Sequence, residues 1–137
     1  MVTTLDIEAG LEAIEQAMDA QLREWVGAEV SRNRSGWSWP LEDGIVFARI
    51  ELPISDDPEL AEPTLELMRP LRDLGHSGTL VPSEALALLE RGAALLHARY
   101  CIGPHPDNSR RQALLLQTTL YLGDLQREEF ESAVSEL

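Results

Sequence analysis

The chain has 137 residues, a net charge of −13 and no lysine, so its 11 strongly basic residues are all arginines. This length fits a single domain, residues 1–137, and an apolar content of 44% argues against a disordered chain. The missing lysine excludes a Schiff-base enzyme and a P-loop lysine, and the negative charge disfavours direct binding to nucleic-acid phosphates.

The sequence predicts a soluble protein of the cytoplasm with no membrane partner. No apolar run reaches the roughly 20 residues of a membrane helix. The N-terminal stretch "MVTTLDIEAGLEAIEQ" lacks the basic and apolar regions of a signal peptide. The single cysteine, Cys101, cannot form an internal disulfide, which agrees with a reducing compartment.

Acidic residues concentrate near both ends of the sequence. Residues 1–30 carry seven carboxylates against Arg23, and residues 124–137 carry five against Arg127. These segments are either solvated helix faces or an acidic docking surface, which would attract basic partners.

The first part of the chain is predicted to form a helix and a hairpin. Apolar residues recur with a helical period over residues 6–30. They are Ile7, Leu11, Ile14, Met18, Leu22 and Trp25. Strands are predicted at Trp37–Leu41 and at residues 45–54, joined by a turn at Gly44. Two of the tryptophans share a face of the first strand, which is either core or, since Trp is favoured at binding hot spots, a recognition face.

Residues 55–63 are predicted to form a polar loop, and residues 64–74 allow either a strand or a helix. Pro63 and Pro70 both disfavour a long helix, so we prefer an edge strand.

A second helix is predicted from Ser83 to His97. Its apolar stripe consists of Leu86, Leu89, Ala93 and Leu96, widened by Leu88 and Leu95. The small residues at 92–94 leave a shallow stretch where another backbone can approach, either in core packing or in a subunit contact.

The last part is predicted to form a hairpin and a helix. "HARYCIG" is a strand, "GPHPDNSRR" a turn, and residues 111–122 a second strand. The final helix begins at Asp124 as N-cap. Its apolar face is Leu125, Phe130, Val134 and Leu137. The order α-β-β-(β)-α-β-β-α predicts an α+β fold, with one antiparallel β-sheet and helices packed on it.

The strand over residues 111–122 has two different faces, because alternate side chains point to opposite sides. One is an ordinary core face of Leu114, Leu116, Thr118, Leu120 and Leu122. The other is Ala113, Leu115, Gln117, Thr119 and Tyr121, which is neither core nor plainly solvated. Helices of the same chain, a second subunit or a segment of a partner could cover it.

Recognisable catalytic and metal-binding motifs are missing from the sequence. The three histidines and the cysteine lack the spacing of metal ligands. "GHSGT" departs from the G-x-S-x-G nucleophile elbow, and no dinucleotide or Walker motif is present. Cys101 is expected to be a packed thiol. We therefore expect no enzyme activity, no cofactor and no metal.

Three segments carry a resemblance to a known family: the middle helix "PSEALALLERGAALL", the hairpin "HARYCIGPHPDNSRRQALLLQTTLYL" and the final "DLQREEFESAVSEL". With the element order and the acidity, they make nearly the whole chain resemble class I type III secretion chaperones and YbjN-like proteins. The resemblance implies a non-catalytic protein, commonly a homodimer, that holds extended segments of a partner against strands and apolar grooves.

The main hypothesis is a chaperone-like homodimer that binds a basic or less ordered segment of another protein. A basic nucleic-acid-binding protein is one such partner. The expected dimer contact is Leu89, Ala93 and Leu96 of the middle helix. The expected partner-binding residues are Ile45, Phe47, Leu115, Thr119 and Tyr121. The alternative is a small enzyme or ligand-binding domain, for which a deep pocket with a perturbed carboxylate or histidine would be diagnostic.

Overall fold

The computed structural model describes residues 4–52 and 62–137, with side chains from Gly10 onward. Three helices lie in these residues: α1 (Thr4–Trp25), α2 (Pro82–Gly92) and α3 (Arg127–Ser135). The predicted loop over residues 55–63 falls mostly outside the described residues, as does Ile54 at the end of the predicted second strand.

Six strands form one antiparallel sheet in the order β1-β2-β3-β4-β6-β5. They are β1 (Ser31–Arg32), β2 (Trp37–Leu41), β3 (Gly44–Glu51), β4 (Thr64–Gly75), β5 (Arg99–His105) and β6 (Asn108–Tyr121). The predicted α+β class is confirmed, with the two-residue β1 as an addition to the predicted order.

The segment with two readings, residues 64–74, is a strand, but it is central and not at an edge. β4 pairs with β3 on one side and β6 on the other. Pro70 has no N–H for a ladder bond, and the register shifts between Pro70 and Arg72. A bulge at this point accommodates the proline in a strand that would otherwise reject it.

One face of the sheet holds the main core, covered by α1 and α3. Met18 and Leu22 of α1 and Phe130 of α3 pack there against inward side chains of the strands. Both Trp37 and Trp39 belong to this cluster, so the core interpretation of the tryptophan pair is confirmed. The predicted core face of β6 is also buried, at Leu114, Leu116, Thr118 and Leu120.

The helices end at places that differ from the prediction. α1 ends at Trp25, whereas the periodicity predicted residue 30. Gly27 has φ of +124°, a backbone conformation that breaks the helix. α3 begins at Arg127, whereas Asp124 was predicted as its N-cap. Gln126 occupies that position, and Leu125 packs against the core instead.

α2 ends at Gly92, five residues before the predicted end at His97. The backbone N–H groups of Leu96, His97 and Ala98 donate to the carboxylate of Glu136, at 2.9–3.1 Å. Because Glu136, directly after α3, supplies this acceptor, these N–H groups do not need helical carbonyl partners.

In the middle of the second face of the sheet, side chains of the strands bury one another. Met68, Ala113 and Leu115 form a small buried cluster with members from β4 and β6. β4 has register shifts at residues 70–72 and 73–75, and bulges bend and twist a strand. Pro106, in the turn after β5, lines a cavity of about 50 Å³ together with Phe47 and Met68. The far end of the β5–β6 hairpin therefore bends over this face.

Candidate protein interaction surface

α2 packs on the rest of the protein by one side and leaves most of its apolar stripe in solvent. Every residue of α2 is at least partly exposed. Leu89 is 73% exposed, and Leu96, in the link that follows, is 88% exposed. Ala93 lies between them and is also exposed. All three residues of the predicted dimer contact are therefore at the surface, and Leu86 extends the same patch.

The inner side of α2 rests against the edge of the sheet. A cavity of about 430 Å³ separates them, lined by Ala85 and Leu88 of α2 and by Tyr100, Ile102 and Leu114 of the hairpin. A Cβ on Gly92 would lie 3.6 Å from the ring of Tyr100, so the helix and strand approach closely at this point. An ion pair of 2.6 Å between Arg72 and Glu84 holds the first turn.

β5 lies at the end of the strand order, next to α2. An edge strand carries main-chain groups that can pair with another strand. Ile102 of β5 is also exposed. We call the exposed part of this region the α2–β5 surface. It consists of Leu86, Leu89, Ala93, Leu96 and Ile102.

The segment that contains the α2–β5 surface has no net charge, although the protein as a whole is acidic. Residues 76–105 contain two carboxylates, Glu84 and Glu90, and two arginines, Arg91 and Arg99. With neutral histidines this stretch has no net charge, so the remainder of the chain carries the whole −13. These residues therefore add no net repulsion between two copies, and the carboxylate of Glu136 contacts this region from outside the stretch.

Glu136 fixes the link between α2 and β5. Its carboxylate accepts three consecutive backbone N–H groups, and His97 Nε2 lies 3.1 Å from the hydroxyl of Ser132 on α3. The N–H bonds from Ala98, His97 and Leu96 lower the pKa of Glu136. The contact could not be predicted from the sequence pattern, because its partners are 38–40 residues apart.

The structure exposes some of the predicted partner-binding residues and buries others. Ile45, Thr119 and Tyr121 are exposed, with Tyr121 at 64%. Phe47 and Leu115 are buried, at 9% and 3% exposed. The partner hypothesis requires Phe47 and Leu115 at the surface, and their burial inside one subunit contradicts that part of it.

Polar groups near the buried cluster form a connected chain. Glu66, which is buried, accepts hydrogen bonds from Arg49 Nε at 3.0 Å and from the side-chain amide of Gln117. Gln117 in turn accepts a hydrogen bond from the thiol of Cys101, at 3.1 Å. Burial raises the pKa of Cys101, so the thiol stays protonated. Sequence reasoning missed Glu66, which follows an ordinary strand pattern.

A separate apolar groove runs along α1. It has a volume of about 370 Å³, and Gln21 is its one polar side chain. Its lining is Ile14, Ala17, Met18, Gln21, Trp25, Pro63, Leu122, Gly123 and Leu125. We call it the α1 groove. The predicted apolar stripe of α1 contains three of these residues, Ile14, Met18 and Trp25.

The opposite side of α1 is acidic and tied to the start of the sheet. Asp19 accepts hydrogen bonds from Arg23 Nε at 3.0 Å and from Trp37 Nε1 at 2.9 Å. These bonds lower the pKa of Asp19. Arg32 pairs with Glu15 at 3.1 Å and stacks over the ring of Trp37. The carboxylates here thus serve structural contacts.

Within residues 4–52 and 62–137, no group of three possible metal ligands comes together. The described helices include none that is both long and apolar enough to cross a membrane. Comparison with known proteins finds no matching family model, no similar curated protein and no similar solved structure.

Proposed function

We propose that this chain is a cytoplasmic, non-catalytic, chaperone-like protein that forms a homodimer and binds a segment of another protein. The exposed apolar stripe of α2 is the observation that carries the proposal. A helix normally buries such a stripe, and α2 buries only its inner side. The observed element order is the one that underlies the resemblance to type III secretion chaperones and YbjN-like proteins.

A second copy fits the α2–β5 surface for two reasons. In a symmetric dimer the same patch meets itself, so the patch needs small residues for close approach and no strong charge of one sign. Ala93 is a small exposed residue between two exposed leucines, and residues 76–105 carry no net charge. Burial of Leu89 and Leu96 would contribute roughly 1.5–3 kcal/mol for each fully buried side chain.

Sedimentation velocity of matched variants tests the dimer. Ala93→Glu places a carboxylate within the α2–β5 surface and is expected to shift the protein to monomer. Ala87→Glu makes the same change within α2, at an exposed position outside the surface, and is expected to leave the dimer intact. A wild-type monomer, or a folded Ala93→Glu dimer, would refute the assignment of this surface.

Affinity capture from the native cell, followed by mass spectrometry, tests the partner. Wild type should recover a protein with a basic or poorly ordered segment. Recovery of no protein at all would count against the binding function, whatever the oligomeric state.

A further inference from the structure

The α1 groove has the shape of a site for a helix. Its lining follows α1 from Ile14 to Trp25, about 16 Å at 1.5 Å per residue. A helix of about 12 residues laid along it would present apolar anchors at positions i, i+3 or i+4, and i+7. Ala17, exposed at the margin, leaves room for an incoming side chain.

Charges beside the groove are mostly acidic, although Arg127 lies close enough to Glu24 to interact with it electrostatically. The charged residues that directly precede or follow a lining residue in the chain are all acidic: Glu15, Asp19, Glu24, Glu62 and Asp124. Glu15 and Asp19 are engaged with arginines on the other side of α1. Among the described residues, Glu24, Glu62 and Asp124 form no ion pair and are exposed.

We propose that the α1 groove binds an amphipathic helical segment of a partner protein, with its apolar side in the groove and Arg or Lys beside the acidic rim. This rests on the proposed partner-binding function and names the chemistry of the segment. A second copy of this chain fits poorly, because both copies would bring acidic surfaces together. A small polar ligand also fits poorly, because Gln21 alone could orient it.

The fluorescence of Trp25 can report binding in the α1 groove. Trp25 lines the groove and is partly exposed, whereas Trp37 and Trp39 are buried. A helix covering the groove should shift the emission of Trp25 to shorter wavelength and leave the other two tryptophans unaffected.

Three synthetic peptides of about 12 residues are titrated against the full chain. The first is a helix with leucines on one side and arginines on the other. The second replaces each arginine by glutamate, and the third scrambles the first. The basic amphipathic peptide should bind, and raising the salt from about 0.05 to 0.5 M should weaken it about tenfold. Failure of this peptide to bind, or equal binding of either control, would overturn the proposal.

Two variants locate the site. Ala17→Arg places a long, charged side chain where the incoming helix would lie and is expected to weaken binding at least about tenfold. Ala20→Arg adds the same charge at an exposed position of α1 outside the groove and should bind like wild type. Equal binding by both variants would move the site elsewhere, and conversion of a dimer to monomer by Ala17→Arg would make the groove a subunit contact.

The proposed dimer and the proposed groove function can be refuted independently. The Ala93→Glu variant should still bind the basic peptide, since the α1 groove and the α2–β5 surface share no residue. A monomeric wild type that binds the peptide refutes the dimer and supports the groove, whereas a dimer that does not bind refutes the groove.

Discussion

The indole N–H of Trp37, a side chain in the core, donates to the carboxylate of Asp19 at 2.9 Å. This bond joins α1 to β2, and Arg23 Nε binds the same carboxylate at 3.0 Å. Asp19→Ala would leave the indole N–H of Trp37 without its acceptor, at a cost of about 1–3 kcal/mol in the free energy of unfolding. Urea unfolding measures it, and Glu12→Ala, on the same helix, serves as the control.

Asp19 also predicts a pH dependence. The hydrogen bonds from Arg23 and Trp37 place the pKa of Asp19 below 3.8 in the folded chain. The stability from this carboxylate is therefore complete above 3.8 and disappears as the pH falls through the lowered folded pKa. Asp19→Asn lacks this ionisation, so the stability difference between it and wild type should shrink on acidification. A constant difference would show that Asp19 does not ionise differently in the two states.

Glu136 should control the link between α2 and β5. Glu136→Ala removes the acceptor of three backbone N–H groups, so hydrogen exchange at Leu96, His97 and Ala98 should accelerate. Glu131→Ala, which breaks an exposed ion pair with Arg127 on the same helix, is the control and should leave these amides unchanged. In wild type the protection factors of these amides, which correct for the slower intrinsic exchange in acid, should fall as acid protonates Glu136, whose lowered pKa places this effect below 4.5. Unchanged protection in Glu136→Ala would contradict the assigned contact.

Two leucines on β6 and α2 should respond oppositely to truncation. Leu115→Ala opens a cavity in the buried second face and should cost about 2–5 kcal/mol of stability. Leu89→Ala removes an exposed side chain and should change subunit stability by no more than about 0.5 kcal/mol. Sedimentation should show the reverse order, with Leu89→Ala weakening self-association. A mild effect of Leu115→Ala on unfolding would refute the closure of that face.

Cys101 should react slowly with a thiol reagent. Burial raises its pKa, so little thiolate is available at pH 8, and Gln117 holds the thiol. The rate of reaction with a disulfide reagent should rise strongly when urea unfolds the chain. Similar rates in the folded and unfolded chain would show that the thiol is open to solvent.

The periodicity of the sequence predicted most helices and strands, because the residues that form one buried face of an element are close together in the sequence. Met18 and Leu22 are buried as the helical stripe requires, and β6 buries the face that alternation selected. The ends of the helices were less predictable. α2 stops where Glu136 binds the following amides, and a contact between segments 38–40 residues apart leaves no periodic trace.

Some features of the candidate sites could be predicted from the sequence, and others could not. The stripe on α2 could be predicted as an unsatisfied face, and the structure places it at the surface. Phe47 and Leu115 could not be predicted as buried, because β4 has bulges on this side of the sheet and the bent hairpin brings Pro106 near Phe47. The α1 groove was not predicted, because helical spacing of apolar residues does not show whether that face is buried in the core or open to solvent.

The two borders of the sheet are unequal, and this limits the stoichiometry of any assembly built by strand addition. At one border, β1 covers only Trp37 and Ser38 with two residues, and the uncovered remainder of β2 contains Pro40, which lacks an N–H. The opposite border is the seven-residue β5, in which Pro104 also lacks an N–H but lies near the end of the strand. Among the strands that the structure describes, β5 is the longer open edge, so strand addition there would pair β5 with β5 of a second copy and give a closed pair, whereas a fibre would need two such edges on each subunit.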